Sequence, residues 1–250
     1  MICDNKNERI DYVNDSLSLI QKTDGLTFGT DALLLAGYVQ GKFERGAELG
    51  GGSGIISMLL LIRKKIKHVD AIEVQTEYAE LIRRNAELNS LSEGLSSVCC
   101  DIRDFKPESE YDIVFTNPPY MKACSGRANT LSKKNIARHE ICGDIGDFMK
   151  SGTRMLKFGA SLYAVYRPDR LIDLICAMRD NSLEPKRLTL VYADTVSEPS
   201  MVLVEAKKGG KSCINVTRPL VIYKDSEHKV YSDDMNYIME NGSFPSHYKR

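Results

Sequence analysis

Ala47-Glu48-Leu49-Gly50-Gly51-Gly52-Ser53-Gly54, running directly into the apolar run Ile55–Ile62, decides how this chain folds. A short strand ends at Leu49, four glycines make a tight turn, and a helix follows at once. Working outward, Val69–Val74 reads as a second strand, followed by a helix through Glu77–Ile82. Ser96–Cys100 reads as a third strand and Tyr111–Phe115 as a fourth. Phe148–Leu156 is predicted helical, Gly159–Tyr166 a fifth strand and Arg170–Met178 another helix. Arg187–Tyr192 and Met201–Glu205 are β runs without a helix between them. Strand–helix alternation argues an α/β architecture: a mainly parallel seven-stranded sheet, covered on both faces, with an antiparallel closing strand pair. The expected organisation is one domain, with an N-terminal extension at 1–43, a core at about 44–206 and a strand-poor tail at 207–250. Ligands of such sheets bind at the carboxyl ends of the strands.

Glycine lets the backbone approach a ligand with no Cβ in the way. The spacing here is not the Gly-x-Gly-x-x-Gly of a dinucleotide site, and Gly210-Lys211-Ser212 mimics a P-loop but has Glu205 where its first glycine belongs. Glu48-x-Gly50-x-Gly52-x-Gly54 instead resembles the first motif of Rossmann-like (class I) methyltransferases, which implies S-adenosylmethionine as cofactor. Glu73, closing the second strand, is placed to accept from both ribose hydroxyls. Asp101, just past the third strand, can accept from the cofactor's adenine amine, or can simply cap the turn Asp101-Ile102-Arg103-Asp104.

The fourth strand ends in Thr116-Asn117-Pro118-Pro119-Tyr120. An aromatic amine is a poor nucleophile because its lone pair is delocalised into the ring. The Asn117 side-chain oxygen and the Pro118 carbonyl can each accept one N–H, favouring a pyramidal nitrogen with its lone pair aimed at a methyl donor. The prolines keep the turn rigid. Pro119 and Tyr120 form the substrate side, where Tyr120 offers a face for a base to stack on. Asn117, Pro118 and Tyr120 are therefore the candidate catalytic residues, with Asn117 also bordering the cofactor.

The chain has 250 residues, 42% of them hydrophobic, and balances 34 basic against 34 acidic side chains. A globally basic nucleic-acid surface is excluded; local patches are not. Lys122, Arg127, Lys133, Lys134 and Arg138 occupy a stretch without acids directly after the turn, placed to contact an RNA backbone. Lys207, Lys208, Lys211, Arg218 and Lys224 form a second such stretch. Seven cysteines without framework spacing, no metal-ligand pattern, no signal-peptide pattern and no membrane-length apolar run predict a cytoplasmic protein with no metal and no membrane association. Monomer or weak homodimer is the expected state.

Several segments together resemble the bacterial tRNA-valine adenine N6-methyltransferase family. They are Phe28–Leu35, the glycine loop, Glu73–Gln75, Asn117–Tyr120, Ala137–Glu140, Leu183–Arg187 and Pro219–Tyr223. The resemblance spans almost the whole chain. It implies methylation of an adenine next to the anticodon of tRNA, with Phe28, Gly29 and Thr30 over the cofactor's methionine end and Asp31 beside them. Arg138, His139 and Glu140 would shape the substrate face. Glu48 stands where the family's first motif has Asp, and Tyr166-Arg167-Pro168 where it has His-Arg-Pro. An already unpaired loop base is cheap to extrude. Two related reactions use a similar turn: methylation of a glutamine amide in a release factor, and of a guanine N2 in ribosomal RNA. The first normally carries a sizeable helical domain before the glycine loop, where only 47 residues precede Glu48 here; the second matches the N-terminal segment poorly.

Overall fold

The computed structural model describes residues 7–14, 16–23, 29–119 and 143–249. Its central feature is a sheet in which β3 (Phe43–Leu49), β4 (Ile66–Glu73), β5 (Leu95–Cys99), β6 (Tyr111–Thr116) and β7 (Leu156–Tyr166) run parallel. β8 (Leu183–Tyr192) and β9 (Pro199–Lys208) close it, with β9 inserted antiparallel between β7 and β8. The strand order is β5-β4-β3-β6-β7-β9-β8 across this core, so the order reverses beside β3. Helices α2 (Ile55–Ile62), α3 (Thr76–Leu88), α4 (Ile145–Met155) and α5 (Leu171–Asp180) cover its faces.

Central strands read as near-continuous apolar runs because both faces are covered. Successive residues still divide by period two. Ile113 and Phe115 join one core with Leu34, Leu35, Ile56 and Leu60, while Val114 joins another with Phe148, Met149 and Leu174. The two cores are the two faces of one sheet.

The expected seven strands are present, but among the described residues the sheet has nine. β10 (Asn215–Val216) and β11 (Leu220–Val221) add in parallel to the outer edge of β8. They satisfy backbone groups that a bare edge would leave unpaired. Two-residue strands carry no alternation to read, which is why the region looks like a strand-poor tail. The core also begins at Phe43 with β3 and ends at Lys208 with β9, slightly outside the expected 44–206. Leu156, expected to end a helix, instead opens β7, because the helix before it starts earlier. Asp144 and Asp147 form a reciprocal capping box there.

Ahead of the sheet, β1 (Glu8–Asn14) and β2 (Leu17–Lys22) form an antiparallel hairpin docked on α3. Asn85 of α3 seals that contact, accepting from Ile20 N at 2.7 Å and donating to Ile20 O and Ser53 O. α1 (Thr30–Tyr38) then packs on α2. Its last carbonyls are held by the Lys65 ammonium, which donates to Ala36 O, Gly37 O and Val39 O at 2.8–3.2 Å. Helix α6 (Asp233–Asn241) packs near β11.

Candidate active site

The carboxyl ends of β3, β4 and β6 converge on a cleft of about 590 Å³, lined by Gly50, Gly52, Ile72, Glu73, Val74, Gln75, Asp101, Ile102, Asn117, Pro119 and Phe148. The glycine loop reaches it by left-handed backbone: Gly50, Gly52 and Gly54 have φ of 72°, 55° and 80°. A Cβ at Gly52 would meet nothing within 4 Å, so this residue borders open space. A Cβ at Gly50 would press on the Phe148 ring at 3.4 Å.

Glu73 is held at the rim by two backbone donors. Gly52 N donates to Oε2 at 3.0 Å and Gln75 N to Oε1 at 2.9 Å. The carboxylate thus ties the glycine loop to the end of β4 and keeps lone pairs for a ligand's hydroxyls. Asp101 also lines the cleft, but its carboxylate caps its own turn: Arg103 N donates to Oδ1 at 2.8 Å. The Arg103 guanidinium beside it holds the carboxyl below the usual range.

Glu48, Gly54, Gly29 and Thr30 of the expected cofactor group do not line the cleft. Glu48 is 1% exposed and accepts from Ser57 N at 3.2 Å and from the Ser57 hydroxyl, so it anchors α2 to β3. Burial pushes its carboxyl up to about 8, against the lowering effect of the Ser57 hydrogen bonds. Gly54 is the left-handed residue that starts α2, packed on Ile82. Their residue types serve the loop's shape.

Asn117 sits between α1 and the cleft. Its Nδ2 donates to Asp31 Oδ2 at 2.8 Å, while its Oδ1 is buried and has no hydrogen-bond partner among the described residues. A buried acceptor left open costs free energy unless something pairs with it. Gly29 and Thr30 form the N-terminus of α1, next to Asp31 and hence next to the turn. On the other side of the prolines lies a second cavity of about 450 Å³, lined by Pro118, Pro119, Gly143, Asp144, Ile145, Phe148, Tyr166 and Arg170. Pro119 and Phe148 line both spaces. Burial pushes the Tyr166 phenol up, with the Arg170 guanidinium opposing it.

No residue pattern marks Phe148 or Arg170, and Tyr166 is marked only as standing where the resembled family has His. The signal that finds Tyr166 is positional: it ends β7 on the ligand-binding side of the sheet. Phe28, Tyr120, Lys122, Arg127, Lys133, Lys134, Arg138 and His139 lie outside the described residues. Lys207 and Lys208 of the second basic stretch do not extend the site. Lys207 and Lys208 end β9, which runs antiparallel, so they stand at the opposite end of the sheet from Asn117. Arg218 and Lys224 are paired with Asp234 and Asp233.

Residues 22–141 match the methyltransferase small domain family. Curated relatives bear the name tRNA1(Val) (adenine(37)-N6)-methyltransferase. One from Phocaeicola vulgatus is 25% identical over 190 residues, covering 74% of this chain and 79% of that protein. One from Pedobacter heparinus is 34% identical over 116 residues, covering 46% of this chain and 48% of its own length. One from Dyadobacter fermentans is 27% identical, covering 51% and 53%, so these last two matches span about half of the relatives' length. Among solved structures, a predicted O-methyltransferase from Agrobacterium tumefaciens superposes with a TM-score of 0.70 at 22% identity, covering 86% of this chain and 98% of that one. A tRNA m1G37 methyltransferase from M. jannaschii gives 0.53 at 15%, covering 83% and 59%. The fold is that of class I methyltransferases. Among the described residues, no helix is long and apolar enough to cross a membrane, and no group of three or more His, Cys, Asp or Glu side chains is arranged to hold a metal.

Proposed function

We propose that this protein transfers a methyl group from S-adenosylmethionine to the N6 amine of an adenine in tRNA, at the position 3′ of the anticodon. The observation that carries the reading is the unpartnered Asn117 Oδ1, buried at the end of β6 in a residue that lines the cleft. The names of the curated relatives supply the nucleoside and the RNA class.

The cleft suits the cofactor on its own chemistry. Gly52 opens onto space that any side chain would invade, and Glu73 presents a fixed carboxylate at its rim. Glu73 would hold the ribose, Gly50 and Gly52 would lie against the nucleoside, and Asp101 with Ile102 would flank the adenine. When bound, S-adenosylmethionine supplies an electrophilic methyl on a sulfonium.

Asn117 Oδ1 and the Pro118 carbonyl accept the two N–H groups of the substrate amine. Holding both hydrogens in one plane away from the cleft turns the nitrogen lone pair towards it. Asn117 acts by orientation and electrostatics, and the rigid Pro-Pro turn holds both acceptors in place before the substrate arrives. The methylated nitrogen carries an acidic proton that leaves to water, so no general base is required of the chain. Phe148 and Pro119 separate the two spaces and exclude water from the line of transfer. The cations after the turn, from Lys122 to Arg138, add salt-dependent affinity for the RNA backbone. The single domain acts on tRNA in the cytoplasm.

The test is incubation with isotope-labelled cofactor and total tRNA from a strain lacking the protein, followed by nucleoside mass spectrometry. Labelled N6-methyladenosine is expected. Label in N2-methylguanosine, or in a protein glutamine instead of RNA, overturns the adenine assignment.

A further inference from the structure

We propose that Asp31 is the positioning residue that decides which end of the Asn117 amide faces the substrate, and that Gly29 lacks a side chain to leave Asp31 room to do so. The inference rests on the amine-methylation reading above, and deepens it. An asparagine amide is nearly symmetric in shape, but its two ends are chemical opposites. Turned one way it accepts from an amine; turned the other it points two hydrogens at the amine's own hydrogens. Something beside it has to choose.

Asp31 makes that choice. A carboxylate only accepts, so the amide nitrogen must face it; Asn117 Nδ2 donates to Asp31 Oδ2 at 2.8 Å. Flipping the amide would bring two oxygens together. The other end, Oδ1, is then forced to the buried position where it has no partner among the described residues. Asp31 is itself held. Its Oδ1 accepts from Ala32 N at 2.9 Å, which locks the carboxylate to the first turn of α1. That helix packs on α2 and on β7, so the amide takes its orientation from the fold's own frame.

Gly29 completes the device. Its φ of −118° is ordinary extended backbone, so conformation does not require glycine here. Space does: a Cβ would stand 2.8 Å from Asp31 Oδ1. The atom in the way is the tip of a side chain, so alanine at this position displaces the carboxylate without disturbing the backbone.

The experiment compares Asp31→Ala, Asp31→Asn and Gly29→Ala with the wild type on tRNA. Steady-state rates, cofactor affinity by calorimetry and side-chain amide NMR of 15N-asparagine-labelled protein are read together. The Asn117 NH2 signals are assigned by their loss in Asn117→Ala. Asp31→Ala should lower kcat by about 10- to 100-fold, the loss of one charge-assisted hydrogen bond, with cofactor affinity nearly unchanged. Asp31→Asn keeps an acceptor oxygen and should recover most of the rate. Gly29→Ala should fall between them while unfolding at the wild-type temperature. The Asn117 NH2 signals should shift in Asp31→Ala. Unchanged kcat in Asp31→Ala, a rate loss matched by lost cofactor affinity, or unmoved Asn117 signals each overturn the proposal. A wild type inactive on tRNA defeats the functional reading instead, and the NMR comparison still decides whether Asp31 orients the amide.

Discussion

At the scale of single residues, the site works by holding polar atoms where a ligand needs them. Asn117→Ala removes the unpartnered buried acceptor beside the cleft, and is expected to abolish turnover while cofactor binding survives. Single-turnover kinetics beside calorimetry checks this; near-normal rates would take Asn117 out of the reaction. Glu73 has a double duty, because its carboxylate fixes Gly52 and Gln75 as well as facing the cleft. Glu73→Ala should therefore weaken cofactor binding by roughly 2–4 kcal/mol, two charge-assisted hydrogen bonds. Unchanged affinity in calorimetry would contradict the ribose role. The same residue illustrates what was legible. Its place at the close of the second strand points to a cleft residue, and it lines the cleft, whereas Glu48, in the glycine motif itself, is turned inward. Both are carboxylates at strand ends, and only the pleat and the packing of α2 distinguish them.

At the scale of elements, the joint between β3 and α2 carries a pH-dependent stability. Glu48 is buried against Ser57, and its carboxyl is raised to about 8 chiefly by burial. A carboxyl raised in the folded state stabilises fully below its unfolded value of about 4.3. That contribution is lost progressively as pH rises from the unfolded value through the folded one, because the unfolded carboxyl ionises while the buried one keeps its proton. Urea unfolding across pH 5–9 should show the wild type losing stability relative to Glu48→Gln, with the difference levelling off above about pH 8. Parallel curves for the two proteins would mean that Glu48 is already ionised in the folded chain. The helix–strand joints elsewhere were mostly readable from periodicity. The boundary at Leu156 was not, since the capping box of Asp144 and Asp147 shifted the whole helix forward.

At the scale of the whole molecule, one buried cation joins the ends of the chain to the sheet. Arg187 is fully buried in β8. It donates to Tyr38 O at 2.7 Å and Tyr248 O at 3.0 Å, pairs with Glu205 at 3.1 Å and stacks on the Tyr38 ring at 3.7 Å. These partners belong to α1, β9 and the C-terminal segment. Arg187→Met should destabilise the protein by about 3–5 kcal/mol, because Glu205 loses its counter-charge and two carbonyls lose their donor. Denaturant unfolding measures it; a loss below about 1 kcal/mol would mean that the joint is redundant.

The sequence by itself determined the alternation of strands and helices, the glycine turn after β3 and the Asn-Pro-Pro turn after β6. Those are properties of neighbouring residues, set by side-chain periodicity and by what glycine and proline do to the backbone. The tertiary structure alone decided that Asp31 reaches Asn117 across 86 positions, and Arg187 reaches Tyr38 across 149. It alone brought Phe148, Tyr166 and Arg170 to one cavity, and sent the lysines of β9 to the far end of the sheet. Such meetings depend on how the layers stack and which way each strand runs, and no local pattern records either.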